Sequence, residues 1–240
     1  MIKDHRPYYL KKAHLKLREL YVRHFLAPQF TRLGKGFTFM QPQHVVLFGA
    51  PIELGNYANV IATADHKVRL TVWSDRKDRG SIRIGNYCLI CPGVRISSAY
   101  EITIGDNCML AANVYITDSD WHDIYDRIAV IGKTAPVKID QNVWVGDGVV
   151  VCKGVTIGEN SVIGAGSIVV DSIPPNTVAA GNPARPVKRL DPDIPITTRA
   201  DWFRDPAGLA RRIDEIDRDM LRGNTLLGWL RSVLFPARGD

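Results

Sequence analysis

His122 and the acidic residues beside it are the side chains in this sequence whose types and spacing best suit acid–base chemistry. The histidine lies in the segment Ser-Asp-Trp-His-Asp, between Asp120 and Asp123. Because a free imidazole has a pKa of about 6.5, it can take a proton from a hydroxyl group at neutral pH and pass it to a leaving group. Such a base needs a partner that fixes its tautomer. Asp120, Asp123 or a backbone carbonyl of the same segment could supply that partner.

The cysteines raise a second possibility, because Cys88 and Cys91 have the CxxC spacing of metal-binding pairs. A second pair is absent, and all four cysteines fall at regular places of the repeat described below. We therefore predict no metal site. Cysteines without a disulfide pattern, in a sequence with no apolar run of about 18 residues, favour a cytoplasmic protein.

A six-residue repeat carries these residues. An aliphatic residue leads each sextet, and Val, Ser or Cys usually stands four places after it. A period of six is neither that of a helix nor that of a simple strand. It predicts a short strand and a corner every six residues, so that three sides make one coil and successive coils stack about 4.8 Å apart. The leading residues are Ile84, Ile90, Ile96, Ile104, Leu110, Ile116, Ile139, Val145, Val151, Ile157, Ile163 and Val169.

Two interruptions break the period. The interval between the leads Ile116 and Ile139 is 23 residues instead of six, so 17 extra residues leave the coil within roughly residues 118–137. Long loops on a rigid scaffold tend to carry function, and His122 lies in this one. A charged stretch at 74–80 predicts a second surface loop.

Helical segments flank the repeat, with apolar residues at helical spacing from Leu10 to Phe25 and from Leu209 to Met220. We divide the chain into a helical segment (1–36), a β-helix domain (37–190) and a C-terminal helical extension (191–240). Residues 1–36 carry nine Lys and Arg against two acidic residues, whereas the rest is nearly neutral, which argues against nucleic-acid binding. The helices either cap the coil, or the first one contacts anionic lipid or an acidic glycan through its basic residues. Those residues are Lys11, Lys12, Lys16, Arg18 and Arg23.

The sextets, the long loop with SDWHD, and the stretches NVWVGD, GVTIGENSVIGAGSIV and AAGNPARPVKRL together resemble the hexapeptide-repeat acyltransferases over about residues 48–190. Within that family the chain is most similar to the maltose, galactoside and xenobiotic O-acetyltransferase group and to the polysaccharide O-acetyltransferases. The resemblance implies a left-handed parallel β-helix, so we assign an all-β class with N- and C-terminal helical appendages. It also implies a homotrimer with acetyl-CoA in the grooves between subunits.

The resemblance also implies roles for individual residues. His122 falls on the family's catalytic histidine, while Asp120 and Asp123 are candidates for orienting it. Arg185 and Lys188 match positions that meet the phosphates of CoA, although Lys188 replaces a common arginine and offers a point charge instead of a fork. The residues expected along the pantetheine arm are Trp144, Gly146, Gly164, Ala165, Gly166 and Ser167.

The implied function is the transfer of an acetyl group from acetyl-CoA to a carbohydrate hydroxyl, on a glycan, polysaccharide or glycolipid precursor. One departure argues against a simple galactoside or maltose acceptor, because Cys91-Pro92-Gly93 stands near the place of an acceptor-binding asparagine in galactoside-type enzymes. N-acylation of an amino sugar or nucleotide sugar and a non-catalytic trimeric scaffold remain alternatives. A zinc carbonic anhydrase on the same fold needs three histidines, and only His122 lies within the part of the chain that the strong repeats span.

Overall fold

The computed structural model describes residues 3–74, 79–191 and 193–237. The chain divides into two compact units, one of Tyr21–Ala200 and one of Met1–Leu20 with Asp201–Asp240. Of the charged loop predicted at 74–80, residues 75–78 lie outside the described residues.

Within the described part of the first unit, twenty short strands form three sheets. The first sheet contains β1 (Arg32–Leu33), β4 (Ile52–Leu54), β7 (Ile82–Ile84), β10 (Ile102–Ile104), β13 (Val137–Ile139) and β16 (Thr156–Ile157). The second contains β2 (Thr38–Met40), β5 (Asn59–Ile61), β8 (Leu89–Ile90), β11 (Met109–Leu110), β14 (Trp144–Val145), β17 (Val162–Ile163), β19 (Thr177–Gly181) and β20 (Ala184–Arg189). The third contains β3 (Val45–Phe48), β6 (Val68–Val72), β9 (Arg95–Ser98), β12 (Tyr115–Thr117), β15 (Val150–Val151) and β18 (Ile168–Val169).

The strands of each sheet pair in parallel, except for the antiparallel hairpin of β19 and β20 that ends the second sheet. On neighbouring strands the predicted leading residues lie opposite each other. Ile104 pairs with Ile139, which is 35 residues later, and Ile139 pairs with Ile157, which is 18 residues later. The difference of 17 residues is the predicted insertion, which leaves the coil after β12 and returns at β13. The chain passes through the three parallel sheets in turn and so forms a parallel β-helix of six-residue coils, which supports the left-handed β-helix that the resemblance implies.

The interior of the coil is a set of aliphatic ladders. Each of the twelve predicted leading residues is at most 3% exposed. Burial of one such side chain contributes about 1.5–3 kcal/mol, and the ladder repeats that contribution in every coil. The predicted small positions are also buried, including Cys88 and Cys108.

Corners of the coil need a residue in the left-handed region three places after the lead. Asn107, Asn142 and Asn160 stand there with φ of 64°, 57° and 60°. Asparagine tolerates this conformation because its short side chain can form local hydrogen bonds. Here the side chains of Asn142 and Asn160 also bond to each other across coils, at 2.9 Å.

The first unit also contains a π-helical turn (Val22–Leu26) and two 3₁₀ turns (Ala27–Gln29 and Pro42–His44). The α-helices are α1 (Tyr8–Tyr21), α2 (Arg199–Trp202), α3 (Pro206–Met220) and α4 (Leu226–Leu234). Asp205 caps α3 by accepting from the Gly208 amide at 2.8 Å, with Pro206 in the first turn. The predicted helical appendages are present, and because 23% of the structure is helical, the class all-β describes the coil but is not exact for the whole chain.

The second unit pairs part of the basic face of the first helix with acidic residues of α3. Lys11 bonds to Asp217 and Lys12 bonds to Asp214, each at 2.6 Å. Lys12, with help from the Tyr8 hydroxyl and Arg218, holds the pKa of Asp214 well below its ordinary value. Two of the five basic residues that could contact lipid or glycan therefore have acidic partners. None of the helices in the described residues is long and apolar enough to cross a membrane.

Candidate active site

A buried carboxylate fixes the base of the inserted loop. Asp118 is fully buried directly after β12, and it accepts hydrogen bonds from the Ser98 hydroxyl at 2.6 Å and from the amides of Ala99 and Tyr100 at 2.7 and 2.9 Å. These three donors belong to the corner of the preceding coil. The backbone carbonyl of Asp118 also accepts from the Ala135 amide at 3.0 Å, so the two ends of the loop are tied together here.

The loop folds back on itself close to the histidine. The Asp120 amide donates to the Lys133 carbonyl at 2.9 Å, and the Gly132 amide donates to the Asp120 carbonyl at 2.7 Å. A Cβ atom at Gly132 would lie 2.5 Å from the His122 carbonyl oxygen and 2.6 Å from that of Asp120. Only glycine allows this approach, which sets the path of the backbone at His122.

The ring of His122 is oriented by a backbone carbonyl. Its Nδ1 lies 3.1 Å from the carbonyl oxygen of Ala129 on the returning side of the loop. Because a carbonyl oxygen can only accept, Nδ1 carries the hydrogen, and Nε2 then holds the free lone pair of the neutral ring. The side chain is exposed, and Nε2 has no hydrogen-bond partner among the described residues.

Asp120 and Asp123, the two carboxylates predicted as candidates for this role, bond elsewhere. Asp120 accepts from Lys153 at 2.7 Å, with both side chains partly exposed. Asp123 accepts from the amides of Tyr125 and Asp126 at 2.9 and 3.1 Å, and these bonds lower the pKa of its carboxyl group. Of the partners that the sequence left open, the backbone carbonyl is the one in contact with the ring.

The residues expected along the pantetheine arm lie together on the later coils. Trp144 is on β14 in register with Val162, and its side chain is 49% exposed. Gly146 packs against the next coil, where a Cβ atom would lie 2.6 Å from the Ile163 carbonyl oxygen. Gly166, with φ of 70°, forms an exposed corner with open space where its side chain would be. Ala165 is also exposed, and Gly164 is half-buried.

Ser167 differs from its neighbours because it is fully buried. Its hydroxyl donates to the Gly164 carbonyl at 2.6 Å and accepts from the Gly181 amide at 3.1 Å. The hydroxyl is thus engaged in holding the corner against the β19–β20 hairpin, and the exposed surface of this run is at Ala165 and Gly166.

The two expected phosphate-binding cations lie on β20. Arg185 pairs with Asp171 at 2.7 Å, but both side chains are more than half exposed. Such surface pairs contribute only about 0–1 kcal/mol, so Arg185 can exchange its partner for a phosphate. Lys188 is exposed on the same strand and has no ion pair within the described residues.

The CxxC cysteines take part in the interior ladder. The Cys88 thiol donates to the Gly105 carbonyl at 3.2 Å. The contact of Cys88 with Cys108, together with burial, raises the pKa of the Cys88 thiol well above the ordinary value. Cys91 is half-buried, and burial also raises the pKa of its thiol. Across residues 3–74, 79–191 and 193–237, no group of three or more His, Cys, Asp or Glu side chains could hold a metal ion.

Sequence reasoning missed Asp118, Ala129 and Gly132. The position of Asp118 directly after the last ladder residue before the insertion was a usable signal, because an acidic residue there can bond the neighbouring corner. No pattern in the sequence pairs Ala129 or Gly132 with His122, since the contacts depend on the fold of the loop.

Three parallel sheets of six-residue coils, with a histidine on an inserted loop, are the features of a hexapeptide-repeat protein. Two models of protein families match its coils. The one described as bacterial transferase hexapeptide (six repeats) matches residues 136–171, and the one described as hexapeptide repeat of succinyl-transferase matches residues 81–118.

Individual relatives extend this match. The galactoside O-acetyltransferase of Escherichia coli is 42% identical over 113 residues, which are 46% of this chain and 55% of that protein. The crystal structure of a maltose O-acetyltransferase from Clostridium difficile is 33% identical over 73% of this chain and 76% of that one, with a TM-score of 0.42. A galactoside acetyltransferase in complex with coenzyme A is 29% identical over 77% of this chain and 82% of that one, with a TM-score of 0.49.

The chain belongs to the hexapeptide-repeat transferases, and the resemblance predicted from the sextets is confirmed. This assignment depends on the repeat models and the sequence identities. The chain spans about half the length of the curated relatives it matches.

Proposed function

We propose that this protein transfers an acetyl group from acetyl-CoA to a hydroxyl group of a carbohydrate, with His122 as the general base. The observation that carries the proposal is the contact of Nδ1 with the Ala129 carbonyl. That contact selects the tautomer with a free lone pair on Nε2, which is the form that can accept a proton. An exposed ring on a tied loop is also reachable by a large acceptor.

Bound acetyl-CoA supplies the thioester. His122 takes the acceptor's hydroxyl proton on Nε2 while the hydroxyl oxygen forms a bond to the thioester carbonyl carbon. As the carbon–sulfur bond breaks, the protonated ring returns that proton to the departing thiolate, so the products are an acetyl ester and free CoA. The Ala129 carbonyl stabilises the imidazolium that exists between these two steps, because it accepts from Nδ1 throughout.

The later coils supply the surface for CoA. Arg185 and Lys188 are exposed cations for its phosphates, and the exposed backbone at Ala165 and Gly166 allows close approach of a narrow pantetheine chain. Trp144 offers a half-exposed ring beside that path. We place this groove between subunits of a homotrimer, because the resemblance implies that arrangement, and light scattering of the purified protein measures the oligomeric state.

The decisive experiment follows the release of free thiol from acetyl-CoA with a panel of glycosides, amino sugars and cell-envelope glycans. We expect ester formation on a hydroxyl acceptor, whereas amide formation would favour the N-acylation alternative. Binding of acetyl-CoA without transfer to any acceptor would favour a scaffold.

His122→Ala should lower turnover at least about a hundredfold, the usual contribution of a general base. His66→Ala is the matched control, because His66 is also an exposed histidine of the first unit and lies outside residues 118–137. Its ring pairs with Asp65 at 2.9 Å. Equal turnover of the wild type and His122→Ala would remove His122 from the mechanism.

A further inference from the structure

A cavity of 440 Å³ lies between the third sheet and the inserted loop. This volume is within the range of ligand pockets, about 300–1,000 Å³. Three of its lining residues, Trp121, Val130 and Ile131, come from the loop. Trp121 and Val130 are the immediate sequence neighbours of His122 and Ala129, so the cavity adjoins the contact that orients the ring.

Aromatic side chains form much of the lining. Trp121 donates from Nε1 to the Tyr115 hydroxyl at 3.2 Å, which fixes both rings relative to each other. Trp73, at the end of β6, contributes a third ring that is 49% exposed. Rings of this kind pack against the C–H faces of sugars, and their polar edges remain available for hydroxyl groups.

Among the described residues that line the cavity there is one cation, Arg95. Arg95 on β9 is in register with Tyr115 on β12, and its guanidinium carbon lies 3.8 Å from the centre of the Tyr115 ring. The side chain is exposed and has no ion pair among the residues that the structure describes. A stacked guanidinium is held in one plane, and its N–H groups then form a fork that matches a carboxylate. The small Ser97 hydroxyl lies in the same lining.

We propose that this cavity is the acceptor subsite and that it binds a sugar residue carrying a carboxylate. The sugar ring packs against Trp121 and Trp73, and the carboxylate bonds to Arg95. The proposal rests on the proposed function, because it makes the ligand of the cavity the acceptor whose hydroxyl reaches His122. It narrows the acceptor from carbohydrates in general to acidic ones.

Equilibrium binding to the whole chain, without acetyl-CoA, tests the subsite apart from the reaction. The probes are methyl glucuronide and methyl glucoside. They differ only at C6, which is a carboxylate in the glucuronide and a hydroxymethyl group in the glucoside. We expect dissociation constants from saturation-transfer NMR to be about tenfold or more lower for the glucuronide than for the glucoside. A hydrogen bond between charged groups supplies a difference of this size. Arg95→Gln should bind both glycosides equally, and Trp121→Leu should weaken both while keeping the preference.

Arg69→Gln is the matched control. Arg69 pairs with Arg95 in register one coil earlier, is exposed on the same sheet, and does not line the cavity. It should keep the full preference. Equal binding of the two glycosides by the wild type overturns the proposal, as does a preference that survives in Arg95→Gln. Displacement of the glucuronide by AMP, lost in Arg95→Gln, would assign the cavity to a nucleotide and also overturn it.

The two proposals fail in different ways. If no acceptor releases thiol from acetyl-CoA but the preference for the glucuronide depends on Arg95, transfer is wrong and the acidic-sugar site stands. If thiol release occurs with neutral sugars and not with acidic ones, the transfer function stands and this subsite is wrong.

Discussion

The coils and the inserted loop hold their side chains in opposite ways. In the coils every predicted lead is at most 3% exposed, and each has a similar neighbour in the coil before or after it. In the loop four apolar side chains are 67–93% exposed, namely Ile124, Tyr125, Ile128 and Val130. The loop depends instead on single polar contacts such as those of Asp118 and Gly132. The stability of the protein therefore comes from the repeated packing of the coils. The position of the proposed catalytic residue depends on single contacts in the loop.

The largest expected effect is loss of a ladder residue. Ile116 is fully buried on β12 between Ile96 and Val151. Ile116→Ala should lower the free energy of unfolding by about 2–5 kcal/mol, because it removes apolar contacts and leaves a cavity. Ile128→Ala, at a side chain that is 91% exposed, should change it by no more than about 0.5 kcal/mol. Urea unfolding measures both, and similar losses in the two variants would erase the distinction between coil and loop.

Loss of the buried anchor should come next. Asp118→Ala leaves the Ser98 hydroxyl and two backbone amides without their acceptor, which we expect to cost about 1–3 kcal/mol. Thiol release should fall as well, although His122 is intact, because the base of the loop is no longer fixed. Asp126→Ala is the control, since that carboxylate is exposed and its only bond among the described residues is to the nearby Ile128 amide, at 3.3 Å. An Asp118→Ala protein with full stability and turnover would show that the loop is held elsewhere.

The coil and the position of the inserted loop could be predicted from the sequence, but the fold of the loop could not, for a physical reason. The period of six arises because each leading residue must be buried inside the coil. Ile84 and Val169 meet this same requirement, so each repeat adds evidence for the others. The contact of His122 with Ala129 occurs once and depends on the path of the six residues between them. The sequence could locate the histidine on the insertion, but neither Asp120 nor Asp123 could be excluded as its partner until their own bonds were known.

A smaller and more local effect should follow from a methyl group at Gly132. Gly132→Ala places a Cβ atom 2.5 Å from the His122 carbonyl oxygen, so the backbone there must move. We expect turnover to fall about tenfold, because misplacement of a catalytic group by about 1 Å can cost more than this. The free energy of unfolding should change little, since the coil is untouched. Ala129→Gly, which keeps the carbonyl that holds Nδ1, should retain turnover, and equal losses in both variants would contradict this assignment.

The smallest expected effect concerns Asp123, and it separates the two candidate ways of holding the ring. The amides of Tyr125 and Asp126 lower the pKa of this carboxyl group below its ordinary value of 3.8. Its support of the turn is therefore complete above that value and is lost as the pH falls through the lowered pKa of the folded state. NMR shifts of the two amides should report that titration, and Asp123→Asn should abolish it.

The turnover of Asp123→Asn and of His122→Ala at neutral pH distinguishes the two ways of holding the ring. If the Ala129 carbonyl fixes the tautomer, the ring does not need the Asp123 charge, and Asp123→Asn should stay within about threefold of the wild type while His122→Ala loses at least about a hundredfold. Only the turn loosens, because an asparagine side chain still accepts from the same amides more weakly. An Asp123→Asn protein as inactive as His122→Ala would mean that the carboxylate orients the ring during the reaction, and that the bond to Ala129 belongs to the resting loop alone.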